Sequence, residues 1–366
     1  MPGATLTASE RVVPHAGRVL IVDDSAVARA VIGRAIDSSP EYKVAGSVST
    51  AQAALSFLQT EAVDFILLDI EMPGVDGLTA LPDIIAAAPR AKVIVVSSGT
   101  DDRGSSTVQA LAMGAVDRVS KPTLGGLAGG FSRRLLDKLA ELGADLAPLS
   151  SPVAASPLPR PIAGPTAPDY PAGFDPAAYE IVAIGASTGG IHALSSLLRA
   201  LPVDMQLPIL ITQHLPGSFM PYFAAQVAVL AGRPCDVAVD CMRVRPGRVI
   251  LAPGDAHIRC VRLSDRSASI RLVRDFAASG CMPSVDPMLA SVARVFGPGA
   301  LAVMLSGMGR DGAEGARLVR DAGGCVLAQD RATSVVWGMP GAVDGIAAAF
   351  LDPETIGRLI AGCRKK

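Results

Sequence analysis

The chain is poor in the residues that mark several classes of protein. Aromatic residues are only 4% and charged residues only 18% of its 366 positions. A core must then be built largely from alanine, glycine and valine, a composition that suits closely packed α/β layers. The formal net charge is −1, so there is no global basic surplus to draw the protein to nucleic acid or an anionic membrane. None of the six cysteines, Cys235, Cys241, Cys260, Cys281, Cys325 and Cys363, forms a C-x-x-C pair. His257 and Cys260 are the only close histidine–cysteine pair, too little for a zinc site. The cysteines read as reduced thiols of a cytoplasmic protein. Residues 1–17 hold Glu10, Arg11, His15 and two prolines and lack the apolar stretch of a secretory leader. Ile181 to Leu198 carries no formal charge, but its interior glycine, serine, threonine and histidine read as buried strand, loop and helix, not as a membrane span. A soluble protein without membrane insertion is expected.

What is present is a repeated alternation of short apolar runs and amphipathic stretches, long enough for two domains. After a disordered extension (1–17), residues 18–142 contain the runs Arg18–Val22, Lys43–Val48, Phe65–Asp69, Lys92–Ser97 and Asp117–Lys121. Five strands alternating with helices predict a doubly wound parallel sheet, closed by a helix from about Leu127 to Leu142. Residues 143–178 crowd prolines without periodicity and read as a semi-rigid linker. Alternation resumes over 179–364, with strands expected at Tyr179–Ile184, Pro208–Thr212, Arg248–Ala252, Ser269–Val273, Ala300–Ser306 and Cys325–Gln329. That predicts a second doubly wound, mostly parallel sheet.

In the first domain, Asp23 and Asp24 end one strand and Asp69 another. Strand ends converge in such a sheet, so three carboxylates share a pocket and repel unless a hard cation such as Mg²⁺ neutralises them. Ser97 and Lys121 end two further strands. A nucleophilic carboxylate, a metal site, a hydroxyl and a mobile cation are what phosphoryl transfer to an aspartate requires. The plainer alternative, that Asp24 or Ser25 only caps the next helix, does not account for five such positions together.

In the second domain, Gly185-Ala186-Ser187-Thr188-Gly189-Gly190 follows an apolar run and precedes a helix-like stretch, Ile191 to Ala200. That order exposes a serine hydroxyl on a tight turn beside free backbone N–H groups; a phosphate-binding loop has the same context. A serine nucleophile needs a base and an orienting carboxylate. Of four histidines, His15 lies in the extension and His192 is carried away by the helix. His214 ends the neighbouring strand, with His257, in a turn, as its rival. Asp311, in Ser306-Gly307-Met308-Gly309-Arg310-Asp311-Gly312, is the first candidate acid, against Asp255 and Asp330.

Val22-Asp23-Asp24-Ser25, Leu68-Asp69-Ile70-Glu71-Met72-Pro73, Val96-Ser97-Ser98 and Ser120-Lys121-Pro122 resemble the receiver domain of two-component response regulators. The resemblance implies that a histidine kinase phosphorylates Asp69. Arg118 departs from it, standing where receivers usually carry Tyr or Phe. The serine turn, Thr212-Gln213-His214-Leu215-Pro216, Pro253-Gly254-Asp255, Pro283-Ser284-Val285-Asp286, the Ser306–Gly312 segment and Gln329 to Pro340 resemble the protein-glutamate methylesterase family of bacterial chemotaxis. That resemblance implies Ser187 as nucleophile, His214 as base, Asp311 as acid, and Thr188 and Met308 beside the oxyanion, with no cofactor at the esterase site. It also implies methyl-accepting chemotaxis receptors as substrates, a chemotaxis histidine kinase as phosphodonor, and glutamine deamidation as a second activity. Arg310 and Trp337 depart from the usual Asn and Tyr. A receiver joined to a nucleotide-binding module is the rival, but no acid ends the strand Ile209 to His214 to hold a ribose; a catalytically dead binding domain is another.

Overall fold

The computed structural model describes residues 17–97, 104–121, 128–143, 170–171 and 174–363. The expected N-terminal extension, most of the linker, the motif residues Ser98 and Pro122, and the last three residues lie outside the described residues.

In the first unit, β1 (Gly17–Val22), β2 (Tyr42–Val48), β3 (Phe65–Asp69), β4 (Lys92–Ser97) and β5 (Asp117–Ser120) form a parallel sheet ordered β2-β1-β3-β4-β5. Alternate residues face opposite sides. Leu20, Val22, Ile66, Leu68, Val93 and Val95 join one apolar cluster, and Val19, Ile21, Phe65, Leu67, Ile94 and Val96 another. Both faces are covered by α1 (Ala26–Asp37), α2 (Ala51–Leu58), α3 (Gly77–Ala87), α4 (Gly104–Met113) and α5 (Ala128–Gly143), which is why the central strands read as unbroken apolar runs. Ser25, Thr50 and Asp76 start the first three helices by accepting backbone N–H bonds in their first turns. Ser25, not Asp24, is thus the cap of α1.

The second unit contains β6 (Ile181–Ala186), β7 (Ile209–Gln213), β8 (Cys235–Val237), β9 (Val249–Leu251), β10 (His257–Arg262), β11 (Ala268–Val273), β12 (Ala300–Met304), β13 (Cys325–Gln329) and β14 (Ala349–Leu351). Its helices are α6 (Gly190–Arg199), α7 (Met220–Ala231), α8 (Val285–Phe296), α9 (Ala313–Asp321), α10 (Gly338–Gly341) and α11 (Pro353–Gly362). Seven strands form a parallel sheet ordered β14-β13-β12-β6-β7-β9-β8. The chain leaves β6 for β7 on one side and later returns to β12 on the other. This is a switch point, and a crevice opens there beyond the strand ends.

Two expectations need correction. Ser269–Val273 is a strand but lies outside the large sheet, paired antiparallel with β10 in a separate hairpin. His257 does not sit in a turn: it opens β10 and is fully buried. The edge strands β8 and β14 are three residues each, too short to produce a legible alternation.

The two units are packed together. One apolar cluster runs from the first sheet through Val108, Leu111 and Ala115 to Ile191 and Leu194 of α6, and on the other side Val336 joins the cluster around Phe131 and Leu135. Near the end of the expected linker, Tyr170 stacks on Phe174 at 5.3 Å, and Phe174 meets Tyr179 of the second unit at 5.0 Å between ring centroids. Among the described residues no helix is long and apolar enough to cross a membrane.

Helix α11 meets α6 through Gly357, where a Cβ would stand 2.4 Å from the Leu197 carbonyl oxygen. Gly357→Ala should therefore force the helices apart and cost roughly 1–3 kcal/mol, read from a shifted denaturation midpoint. Unchanged stability would mean that this contact has slack.

Candidate active site

The serine turn is shaped by its surroundings. Gly189 adopts φ +74°, and a Cβ there would lie 2.4 Å from the Val335 side chain. A side chain at this position is excluded by both conformation and space. The Ser187 N–H donates to the Ser306 carbonyl at 3.0 Å, and the Ser187 carbonyl accepts from Gly190 N–H at 2.8 Å and from Gln213 Nε2 at 2.9 Å. Gln213 is the last residue of β7, and the next residue, His214, donates its N–H to the Ala186 carbonyl at 3.1 Å. Adjacent parallel strands therefore deliver Ser187 and His214 side by side.

His214 Nε2 lies 2.7 Å from Asp311 Oδ2, leaving Nδ1 as the other ring nitrogen. Asp311 is buried and also accepts from Ser284 Oγ at 2.6 Å and Val285 N–H at 2.7 Å. Burial alone would raise its pKa, but the bonds from His214, Ser284 and Val285 outweigh it and hold the carboxyl down at about 2. Burial likewise pulls His214 down, and hydrogen bonds with Asp311 and Cys281 reverse this, raising the imidazole to about 9. Donor atoms of His214, Cys281 and Asp311 lie within 4.8 Å of one another.

Ser187, Thr188, His214 and Met308 line one cavity of about 560 Å³. The rival residues are elsewhere. His192 Nδ1 is 3.4 Å from the Ala112 carbonyl of the first unit, Asp255 is exposed and paired with Arg274, and Asp330 accepts from the Thr333 N–H and hydroxyl three residues on. Arg310 is exposed, and Trp337 packs on Phe350 at 5.3 Å between centroids; neither lines the cavity.

In the first unit, Asp69 and Asp23 are buried at the ends of β3 and β1. Lys121 Nζ lies 2.6 Å from Asp69 Oδ2 and 3.0 Å from Asp23 Oδ2. Burial raises the Asp69 pKa against the opposing pull of Lys121. For Lys121, burial works downward, but its two carboxylate partners prevail and hold the ammonium up. Ser97 is buried at the end of β4, and its carbonyl accepts from the Lys121 N–H at 2.8 Å. Carboxylate oxygens of Asp23, Asp24 and Asp69 lie within 4.8 Å of one another, and Asp23 Oδ2 is buried without an aligned hydrogen-bond donor. These are the residues able to hold a hard divalent cation.

Sequence reasoning did not find how the two sites are joined. Asp117 Oδ2 accepts from Thr188 Oγ1 at 2.9 Å, and the Val116 carbonyl accepts from Gly189 N–H at 3.0 Å. The Arg118 guanidinium sits 4.2 Å from the centre of the Phe219 ring, five residues past His214, close enough for a cation–π contact. Lys92 Nζ donates to the Val335 carbonyl at 2.9 Å. Residues of β5 and α5 form a wall of the cavity that holds Ser187 and His214. The departure at Arg118 was the only sequence signal that pointed to this place.

A doubly wound sheet carrying an aspartate–lysine pocket, docked on a second sheet carrying a serine turn and a histidine–aspartate pair, defines a receiver domain fused to a hydrolase-like domain. A model of the response regulator receiver domain matches residues 19–125, and one of the CheB methylesterase matches residues 182–360. The protein-glutamate methylesterase/protein-glutamine glutaminase of Azospirillum brasilense is 41% identical over 363 residues, 94% of this chain and 91% of that protein. Its namesake in Maricaulis maris is 40% identical over 376 residues, 93% of this chain and 94% of that one. The Thermotoga maritima CheB methylesterase catalytic domain is 34% identical and has a TM-score of 0.48, covering 50% of this chain and 97% of its own. The chain belongs to the protein-glutamate methylesterase/protein-glutamine glutaminase family.

The raised His214 pKa gives an outcome that needs no substrate. Its ring signals should titrate by NMR with a midpoint near 9, falling toward the ordinary value of about 6.5 in Asp311→Asn. Because the folded pKa of His214 lies above the unfolded one and that of Asp311 below it, the pair stabilises the fold fully between about pH 4 and about pH 6.5. That contribution is lost as pH rises through about 9. An ordinary midpoint in the intact chain would contradict the ion pair.

Proposed function

We propose that this chain hydrolyses glutamate methyl esters on methyl-accepting chemotaxis receptors, releasing methanol, and that the same centre deamidates receptor glutamines. The observation that carries the reading is the 2.7 Å bond between His214 Nε2 and Asp311, made where adjacent strand ends set His214 beside Ser187. In the neutral form of His214, whose share grows as pH rises toward about 9, Nε2–H is committed to the carboxylate and Nδ1 is the nitrogen that takes the Ser187 proton. Ser187 Oγ then bonds the ester carbonyl carbon. As the tetrahedral intermediate collapses, His214 returns the proton to the departing methoxide, which leaves as methanol. Water next attacks the acyl-serine, giving up a proton to Nδ1, and the glutamate carboxylate departs as Ser187 regains its hydrogen. Thr188 and Met308 flank the position of the oxyanion. For a glutamine side chain the leaving group is ammonia, and the proton inventory is the same.

Ser187→Ala should remove methanol release from methylated receptor by several orders of magnitude without loss of folding, since comparable triads lose on the order of 10⁶ with their serine. Turnover within about tenfold of the intact enzyme would overturn the assignment.

The receiver is the proposed control element. Asp69 would accept a phosphoryl group from a histidine kinase, with Asp23, Asp24 and Asp69 holding Mg²⁺; the bound ion would supply positive charge against the phosphoryl oxygens. Lys121 would follow the new charge. It lies three residues from Arg118 on one extended segment, so that shift bears on the contacts of Asp117 and Arg118 with the esterase half. Release of those contacts opens the cavity to a receptor. A small phosphodonor should raise methylesterase activity of the intact chain and leave Asp69→Ala at its basal rate. Arg118→Ala, which loses the Phe219 contact, should start from a raised basal rate. An Asp69→Ala chain that still responds, or an Arg118→Ala chain with an unaltered basal rate, would count against this route.

A further inference from the structure

Asp311 is anchored by the start of α8, and that start has an anchor of its own. Ser284 occupies the position before α8, yet its hydroxyl makes no capping bond to the helix; it donates instead to Asp311 Oδ1 at 2.6 Å. The Ser284 backbone N–H donates to His257 Nδ1 at 2.8 Å, and His257 Nε2 lies 3.0 Å from the Asp275 carbonyl oxygen. A nitrogen that accepts carries no hydrogen, so the ring proton sits on Nε2 and is donated to that carbonyl. His257 is fully buried and does not line the cavity. An apolar side chain would fill the space equally well but would leave the buried Ser284 N–H without an acceptor.

We propose that His257 is a positioning residue for the esterase centre: by fixing Ser284 it fixes Asp311, and through Asp311 it sets the ring of His214. The inference rests on the roles given above to His214 and Asp311. It gives a function to the Pro283-Ser284-Val285-Asp286 segment and to a histidine that otherwise reads as packing. The chain of bonds runs Asp275 carbonyl, His257, Ser284, Asp311, His214, and every link has a donor and an acceptor. Small displacements matter at its far end, because a misplacement of about 1 Å at reacting groups costs about a hundredfold.

Two near-isosteric replacements separate the two ring nitrogens. In His257→Asn the amide oxygen can take the place of Nδ1 and accept from Ser284, while the Asp275 bond is lost. In His257→Gln the amide nitrogen can take the place of Nε2 and keep the Asp275 bond, while the acceptor for Ser284 is lost. The expected result is kcat for methanol release within about fivefold of the intact enzyme in His257→Asn, and lowered roughly 10- to 100-fold in His257→Gln with KM little changed. The NMR midpoint of His214 should fall in His257→Gln and hold in His257→Asn. The other groups sharing its surroundings are unaltered in both variants: Asp311 and Cys281, and the receiver residues Asp117, Arg118, Arg134, Asp137, Lys138 and Glu141. A purely structural role would lower the denaturation midpoint of both variants without moving the His214 titration. If His257→Gln does not fold, Ser284→Ala, which deletes only the hydroxyl, is expected to lower kcat in the same range. His257→Gln, or Ser284→Ala in its place, with an intact kcat overturns the proposal. His214→Ala separates this failure from that of the underlying reading: if His214→Ala keeps its turnover, the assignment of the base falls and the proposal with it.

Discussion

A buried carboxylate is costly unless its oxygens are met by donors, and Asp311 is the point where that cost shapes the second domain. Its three partners come from two places: the loop after β7 supplies His214, and the entry to α8 supplies Ser284 and the Val285 N–H. The carboxylate itself follows β12. Removing any one donor leaves charge buried and less well paired, so the loop, the helix start and the strand end are constrained to one arrangement. The low pKa of Asp311 and the high pKa of His214 are two views of that constraint.

The receiver pocket solves the same problem with a cation. Asp23 and Asp69 are buried, and Lys121 bridges them. Here the compensation is incomplete: Asp23 Oδ2 has no aligned donor, and the Asp69 pKa is raised by burial. A site whose acidic groups are under-compensated has room for further positive charge, whereas the esterase acid is saturated by donors. The difference matches the separate chemistries proposed for the two halves.

The two pockets are close in the chain of the receiver. The segment from Val116 to Lys121 touches the serine turn at one end and Asp69 at the other. An extended segment of that length covers only about 15–20 Å. Arg118, in place of an aromatic residue, contributes by stacking on Phe219 next to the His214 loop. Burial lowers its pKa, with Asp117 opposing the shift, and the face of an aromatic ring offers partial compensation to a desolvated guanidinium.

Much of the candidate chemistry was legible from the sequence because it is local. Ser187 stands in a glycine-rich turn between an apolar run and a helix, and Asp23, Asp69, Ser97, Lys121 and His214 stand at or just past the ends of apolar runs. A parallel sheet gathers such ends on one edge whatever the details of packing, so pattern and spacing alone identified them as candidates for common pockets. The sequence also offered Ser25, alongside Asp24, as the start of a helix, because capping depends on neighbours within one turn; the bond from the Ala28 N–H decided for Ser25. What only the tertiary structure decided are pairings with no local signature. Thr188 meets Asp117 across 71 residues, and Ser284 meets His257 across 27. The hairpin of β10 and β11 is a separate sheet, although its second strand reads like the others. These contacts depend on how two finished sheets dock and on which buried N–H groups are left needing an acceptor. Both are properties of the packed interior, and no periodicity along the chain records them.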